Sequence, residues 1–138
     1  MNALSRIPII KLYRNLIVPI QGAVVDSTMT RLIEDVTTRI ERDGASGLVI
    51  DVSGVEVMDS FMTRNIRDLA LTARLMGVHT VVSGLAPSVA IALVEMGLEL
   101  GVAAGGQHGL VTTLNLERAI EVLDDLKQDE VEADEVGS

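Results

Sequence analysis

Ser60 lies where a strand-like hydrophobic pattern gives way to a helical one. Residues 48–50 form an apolar, largely β-branched run, which is typical of a buried strand. From Met62 onward the apolar residues recur with a period near 3.6, which predicts an amphipathic helix. A serine at a helix start is exposed, and the unpaired N–H groups and the macrodipole there favour an anion. A phosphate on Ser60 would be tolerated there, and the residues alone leave open whether Ser60 is a phosphoacceptor or whether Asp59 and Ser60 only cap the helix.

Three further hydroxyl side chains lie near predicted helix starts. Ser83 and Ser88 flank a turn over residues 84–87, and both are secondary phosphoacceptor candidates, although Ser88 also fits a helix-start role. Thr63 lies one turn after Ser60. Its hydroxyl is expected to face solvent or to bond back to its own helix.

Residues 105–109 and the two histidines are the remaining candidates for ligand chemistry. The glycine-rich residues 105–109 lack the Gly-Lys-Ser/Thr ending of a P-loop and the spacing of a dinucleotide fingerprint. His79 and His108 have no second ligand at metal spacing, and nothing places either beside Ser60. The sequence therefore predicts no metal, no cofactor and no enzyme activity. A small nucleotide-binding protein stays open as an alternative.

An acidic group formed by Asp51, Glu56 and Asp59 resembles the phosphoacceptor pocket of a response regulator. Such a pocket also needs an acidic pair at the end of the first parallel strand. Residues 18–20 are Val-Pro-Ile instead. An aspartyl-phosphate receiver is therefore not predicted.

Composition limits the partners of this chain. Its 138 residues suit one domain, and aromatic residues make up only 1%, so the core must be aliphatic and base stacking is disfavoured. The net charge is −9, and residues 128–138 contribute five acids and no base, leaving −4 for residues 1–127. We therefore expect no nucleic-acid or anionic-membrane partner. Cysteine is absent, and neither a signal peptide nor a long apolar run is evident, so the expected location is cytoplasmic.

The apolar and turn patterns predict an α/β domain with a mostly parallel central sheet of four to five strands and about four helices. The predicted strands are residues 7–13, 16–20, 48–52, 79–83 and, weakly, 110–112. The first predicted helix starts with a cap at Asp26, Ser27 or Thr28 and ends at Gly44. Three further helices are predicted at residues 60–76, 87–96 and 115–127. Residues 1–127 form the predicted domain, and residues 128–138 an acidic disordered tail.

Six motifs in order resemble STAS domains, the sulfate transporter and anti-sigma factor antagonist family, across residues 5–127. They are IPIIKLY at 7–13, GLVID at 47–51, MDSF at 58–61, RLMG at 74–77, GLAPSVA at 84–90 and LVEMG at 93–97. Within the family the chain most resembles the RsbS-type scaffold of bacterial stressosomes. The resemblance implies a STAS fold.

The resemblance also implies a regulatory role with named partners. Ser60 would be phosphorylated by an RsbT-type serine kinase, which binds Mg-ATP itself, and dephosphorylated by an RsbX-type phosphatase. The chain would form homo-oligomers and hetero-oligomers with RsbR-type STAS paralogues. Those paralogues carry a sensory domain before the STAS domain, whereas few residues precede the first predicted strand here, which favours the scaffold role.

The kinase would be sequestered until Ser60 is phosphorylated. A partner packed against Asp59, Phe61 and Met62 would then face a buried, unpaired charge and dissociate. The alternative within the family is a single-domain anti-anti-sigma factor that binds an anti-sigma kinase directly. Those proteins usually carry a small residue or a second serine where this chain has Phe61. The glycine-rich residues 101–109 and the acidic tail depart from the scaffold pattern.

Overall fold

The computed structural model describes residues 6–55, 58–87, 89–91 and 111–137, with side chains described as far as Val131. Residues 87 and 89–91 are helical, as predicted for a helix starting at Pro87, and the rest of that predicted helix lies outside the described residues. The other elements are β1 (Ile10–Leu12), β2 (Asn15–Gly22), α1 (Asp26–Asp43), β3 (Gly47–Val55), α2 (Ser60–Leu75), β4 (His79–Ser83), β5 (Val111–Thr113) and α3 (Leu116–Gly137).

The five strands form one sheet in the order β1-β2-β3-β4-β5. β1 is antiparallel to β2, and the remaining neighbours are parallel, with Val18 opposite Ile50 and Ile50 opposite Val82. This confirms the predicted α/β fold with a mostly parallel sheet, and β5 is the weak edge strand expected near residues 110–112.

Pro19 lies inside β2, although a proline cannot donate a ladder hydrogen bond. β1 pairs with β2 only as far as Ile17, so the edge of β2 at Pro19 is no longer covered by β1. The pairing with β3 also becomes irregular between Pro19 and Gln21. The proline therefore occupies an edge position, as expected from its chemistry.

Two hydrophobic clusters lie on opposite faces of the sheet because successive strand residues point to opposite sides. The larger cluster joins α1 and α2 to one face, and its strand residues are Leu16, Val18, Ile20, Leu48, Ile50, Val52 and Val82. The smaller cluster joins α3 to the other face and consists of Ile17, Val49, Val81, Ala119 and Leu123. The aliphatic core expected from the composition is thus divided between two faces.

α1 has no side-chain cap at its amino end, whereas a left-handed glycine ends it at its carboxyl end. Its N-cap is Val25, with no side-chain cap, so the predicted cap by Asp26, Ser27 or Thr28 is wrong. Gly44 ends the helix in the left-handed conformation at φ 63°, where its N–H donates to the Ile40 carbonyl. Glycine adopts that conformation without the strain a Cβ would cause, so this predicted end is correct.

α3 continues to Gly137, so the structure has residues 128–137 in a helix where the sequence led us to expect a disordered tail. Extending an existing helix avoids the unfavourable nucleation step, and the composition of a short segment does not reflect that advantage. Two polar contacts also link the helix to the amino ends of the strands. Lys127 Nζ donates to Asn15 Oδ1 at 2.6 Å, and Glu130 pairs with His79.

None of the helices in the described ranges combines the length and apolar character that a membrane span requires.

Candidate functional site

Ser60 is the first residue of α2 and is exposed. The preceding residue, Asp59, has extended backbone, and its carboxylate accepts a hydrogen bond from the Met62 N–H at 2.8 Å. A second side chain braces the same turn, since Asn65 Nδ2 donates to the Phe61 carbonyl at 2.8 Å. Capping by Asp59 leaves the Ser60 hydroxyl free of that task.

The electrostatic setting of Ser60 is mixed. It lies at the positive end of the α2 dipole, and the first turn of α2 contains no acidic residue. Asp59 brings one exposed negative charge next to it. Glu56, another acidic residue close to Ser60 in the sequence, lies outside the described residues.

The predicted partner-binding residues do not share one environment. Asp59 is exposed and Phe61 is half-buried, so both can contact a partner. Met62 is only 3% exposed and packs in the larger core cluster. The helical period turns Met62 toward the sheet, and this burial argues against a direct contact between Met62 and a partner.

Thr63 also lies inside the molecule. It is 2% exposed, and its hydroxyl has no hydrogen-bond partner among the described atoms. The expectation of a solvent-facing or back-bonding hydroxyl is therefore wrong. Thr63 follows Met62 on the inner side of the first turn, so it is not a second acceptor on the surface.

Ser83, a secondary phosphoacceptor candidate, ends β4 and is completely buried. Its Oγ donates to Asp51 Oδ1 at 3.5 Å, and the same carboxylate oxygen accepts from the Ser53 N–H at 3.1 Å. A kinase cannot reach a buried hydroxyl without opening the sheet, which argues against Ser83 as an acceptor. Ser88 lies outside the described residues.

His79, the candidate histidine that the structure describes, does not lie beside Ser60. Within the described ranges no group of three or more His, Cys, Asp or Glu residues could hold a metal. His79 pairs with Glu130 at the far, amino-terminal end of the strands. His108 and residues 105–109, on which the nucleotide hypothesis depends, lie outside the described residues.

Two open grooves of about 470 and 390 Å³ flank residues 6–8, one beside β2 and the start of α1, the other along α1. Neither groove is lined by a residue of α2. The described residues of the Ser60 surface therefore line neither of these two grooves.

The residues that follow Ser60 along the outward side of α2 were not among the predicted site residues. Their i, i+4 and i+7 spacing was the available signal. Leu71 is 42% exposed and Leu75 is 89% exposed. We define the α2 outward face as Ser60, Arg64, Asp68, Leu71 and Leu75, all exposed.

Comparison with protein families gives a match to the STAS domain model over residues 6–105. Among solved structures the chain is similar to a serine-to-glutamate variant of Moorella thermoacetica RsbS. The two share 35% identity, and the match covers 90% of this chain and 99% of that one with a TM-score of 0.76. The chain is also similar, at 34% identity, to a chain in the molecular architecture of the stressosome, a signal integration and transduction hub. That match covers 87% of this chain and 98% of the other, with a TM-score of 0.70.

Among curated proteins the chain is similar to the RsbT co-antagonist protein RsbRA of Bacillus subtilis, at 24% identity over 94 residues. That match covers 67% of this chain and 34% of the relative. The chain thus spans about a third of the length of the co-antagonist proteins it matches.

Proposed function

The chain belongs to the STAS domain family, and from that premise we propose that it is an RsbS-type scaffold of a bacterial stressosome. In this role it binds and sequesters an RsbT-type serine kinase and releases the kinase when Ser60 is phosphorylated. The observation that carries the proposal is an exposed serine at the capped start of α2, in a chain 35% identical to an RsbS over 99% of that protein.

The proposed kinase-binding surface combines Asp59, Phe61 and the α2 outward face. Leu71 and Leu75 supply exposed apolar area on this face, in place of the buried Met62. Apolar side chains that are exposed in the free chain can contribute to binding once water is removed from them. Before modification, the described residue next to Ser60 that carries a negative charge is Asp59.

Phosphorylation would change this surface sharply. The kinase transfers the γ-phosphoryl group of ATP to Ser60 Oγ, the serine proton is lost, and ADP leaves. The phosphate adds a charge of about −1.5 to −2. If the kinase buries this position, the added charge is desolvated without a compensating group on the kinase, which is costly and favours dissociation. An RsbX-type phosphatase would reverse the change by hydrolysis, and the scaffold itself performs no catalysis.

Phosphorylation can be tested by mass spectrometry after incubation with an RsbT-type kinase and Mg-ATP. We expect one phosphate, located on Ser60, and none in Ser60→Ala. Ser27→Ala is the matched control, because Ser27 is also an exposed serine in the first turn of a helix, α1. Phosphorylation of the Ser60→Ala chain would refute the phosphoswitch. So would the absence of phosphorylation of the wild-type chain by a kinase that is active on the scaffold protein of its own system.

Assembly size separates the scaffold from a single-domain anti-anti-sigma factor. Mixed with an RsbR-type protein, the chain should elute as a megadalton complex in size-exclusion chromatography with light scattering. A small complex formed directly with an anti-sigma kinase, without any large assembly, would favour the alternative.

A further inference from the structure

We propose that Arg64 binds the phosphate on Ser60 and holds the modified side chain against α2. This inference rests on the proposed function because it takes Ser60 as the modified residue. It adds a specific intramolecular partner for the phosphate, supplied by the same helix.

Helix geometry places the two side chains together. Ser60 and Arg64 are separated by four residues in the continuous helix α2, so they lie on one face one turn apart. Cα–Cβ bonds in a helix tilt toward its amino terminus, so the long Arg64 side chain is directed back toward Ser60. The order of the two charges is also favourable, because an anion four residues before a cation stabilises a helix more than the reverse arrangement does.

Arg64 is available for this contact. It is exposed, and its side chain forms no hydrogen bond or ion pair with any other residue that the structure describes. Arg67, one turn further on, already contacts Asp68 at 3.3 Å. Asp59, the nearest described acid to Ser60, is engaged by the Met62 N–H and forms no ion pair with Arg64.

The chemistry of the pair is strong and specific. A guanidinium presents two parallel N–H donors that match two phosphate oxygens, and both groups are charged. Binding would keep the phosphate over the first turn of α2 rather than extended into solvent. It would thereby cover the Ser60 end of the α2 outward face, and it would withdraw the Arg64 charge from any partner.

The test uses the full chain with phosphoserine installed at position 60 by genetic code expansion, so that no kinase is required. The second pKa of the phosphate is followed by ³¹P NMR during a pH titration. Because Arg64 stabilises the dianion, Arg64→Gln should raise that pKa by about 0.3 or more. Arg64→Lys should recover part of the difference. Arg118→Gln, on the opposite face of the sheet, removes the same charge and should leave the titration unchanged.

Two results would overturn the inference. One is an identical titration for the wild type and Arg64→Gln. The other is an equal rise in Arg118→Gln, which would show a general charge effect. Failure of an RsbT-type kinase to modify Ser60 would refute the proposed function but would leave the titration result standing, so the two failures can be told apart.

Discussion

Asp59 determines where α2 starts and how Ser60 is presented. Its carboxylate accepts the Met62 N–H at 2.8 Å and so satisfies one of the unpaired donors of the first turn. Ser60 itself accepts no such bond, and its hydroxyl stays at the surface. Asp59 therefore does the capping and leaves Ser60 available for the proposed modification, although the sequence allowed both residues to be caps.

Replacing Asp59 tests this division. Asp59→Ala should lower the free energy of unfolding by about 1 kcal/mol, because the Met62 N–H loses its acceptor. Urea denaturation followed by circular dichroism measures the change. Asp59→Asn is the matched control and should stay close to the wild type, since Asn caps as well as Asp. Equal losses in both variants would show that the charge, rather than the acceptor, is what stabilises the helix.

At the level of secondary structure, the start of β3 lies in close contact with β2 and α3. Gly47 begins β3 and lies opposite Asn15 of β2, and Lys127 of α3 donates to that asparagine. A Cβ added at Gly47 would lie 2.3 Å from Asn15 Oδ1 and 3.1 Å from Leu123 Cδ1. The glycine is therefore needed for space, where β2, β3 and α3 meet.

Gly47→Ala should destabilise the fold by roughly 1–3 kcal/mol because the added methyl group overlaps Asn15. Thermal and urea unfolding measure the loss. Combining it with Asn15→Ala should give a smaller loss than the sum of the single variants, since the overlap is relieved. Strict additivity would contradict the proposed clash.

The end of α1 carries a small ionic group that predicts a pH dependence. Hydrogen bonds from Arg42 and Arg39 to the Asp43 carboxylate lower the pKa of Asp43 to about 2. A carboxyl whose pKa is lower in the folded state stabilises that state above its unfolded pKa near 3.8. This contribution should be lost as the pH falls from about 4 to about 2. NMR titration of the Asp43 side chain measures it, and Arg39→Gln should raise the pKa. An unshifted pKa in the wild type would contradict the contact.

For the molecule as a whole, the two faces of the sheet have different neighbours. α2 and the Ser60 surface lie on one face with α1, whereas α3 covers the other face. Addition of charge at Ser60 therefore affects the surface of the α1–α2 layer and leaves the smaller core under α3 untouched. A regulatory modification here can alter binding without disturbing the fold.

The free energy of unfolding of Ser60→Asp should consequently lie within about 0.5 kcal/mol of the wild-type value. The helix terminus favours the anion by roughly 0.3–1 kcal/mol and the exposed charge of Asp59 opposes it by a similar amount. Binding to an RsbT-type kinase should weaken at least tenfold, as measured by calorimetry. Ser60→Ala is the control and should retain both stability and binding. An unfolded Ser60→Asp chain, or one with unchanged kinase affinity, would contradict this account.

The sequence by itself determined the order of elements, the mostly parallel sheet, the start of α2 at Ser60 and the left-handed end of α1 at Gly44. These features depend on local periodicity, backbone preferences and capping, which neighbouring residues encode. Only the tertiary structure decided the burial of Met62, Thr63 and Ser83, because burial depends on how a helix is rotated against the sheet and on which strands flank a given strand. The same holds for the extended α3. Its contacts at Asn15 and His79 join residues far apart in the chain, and local composition does not record such contacts.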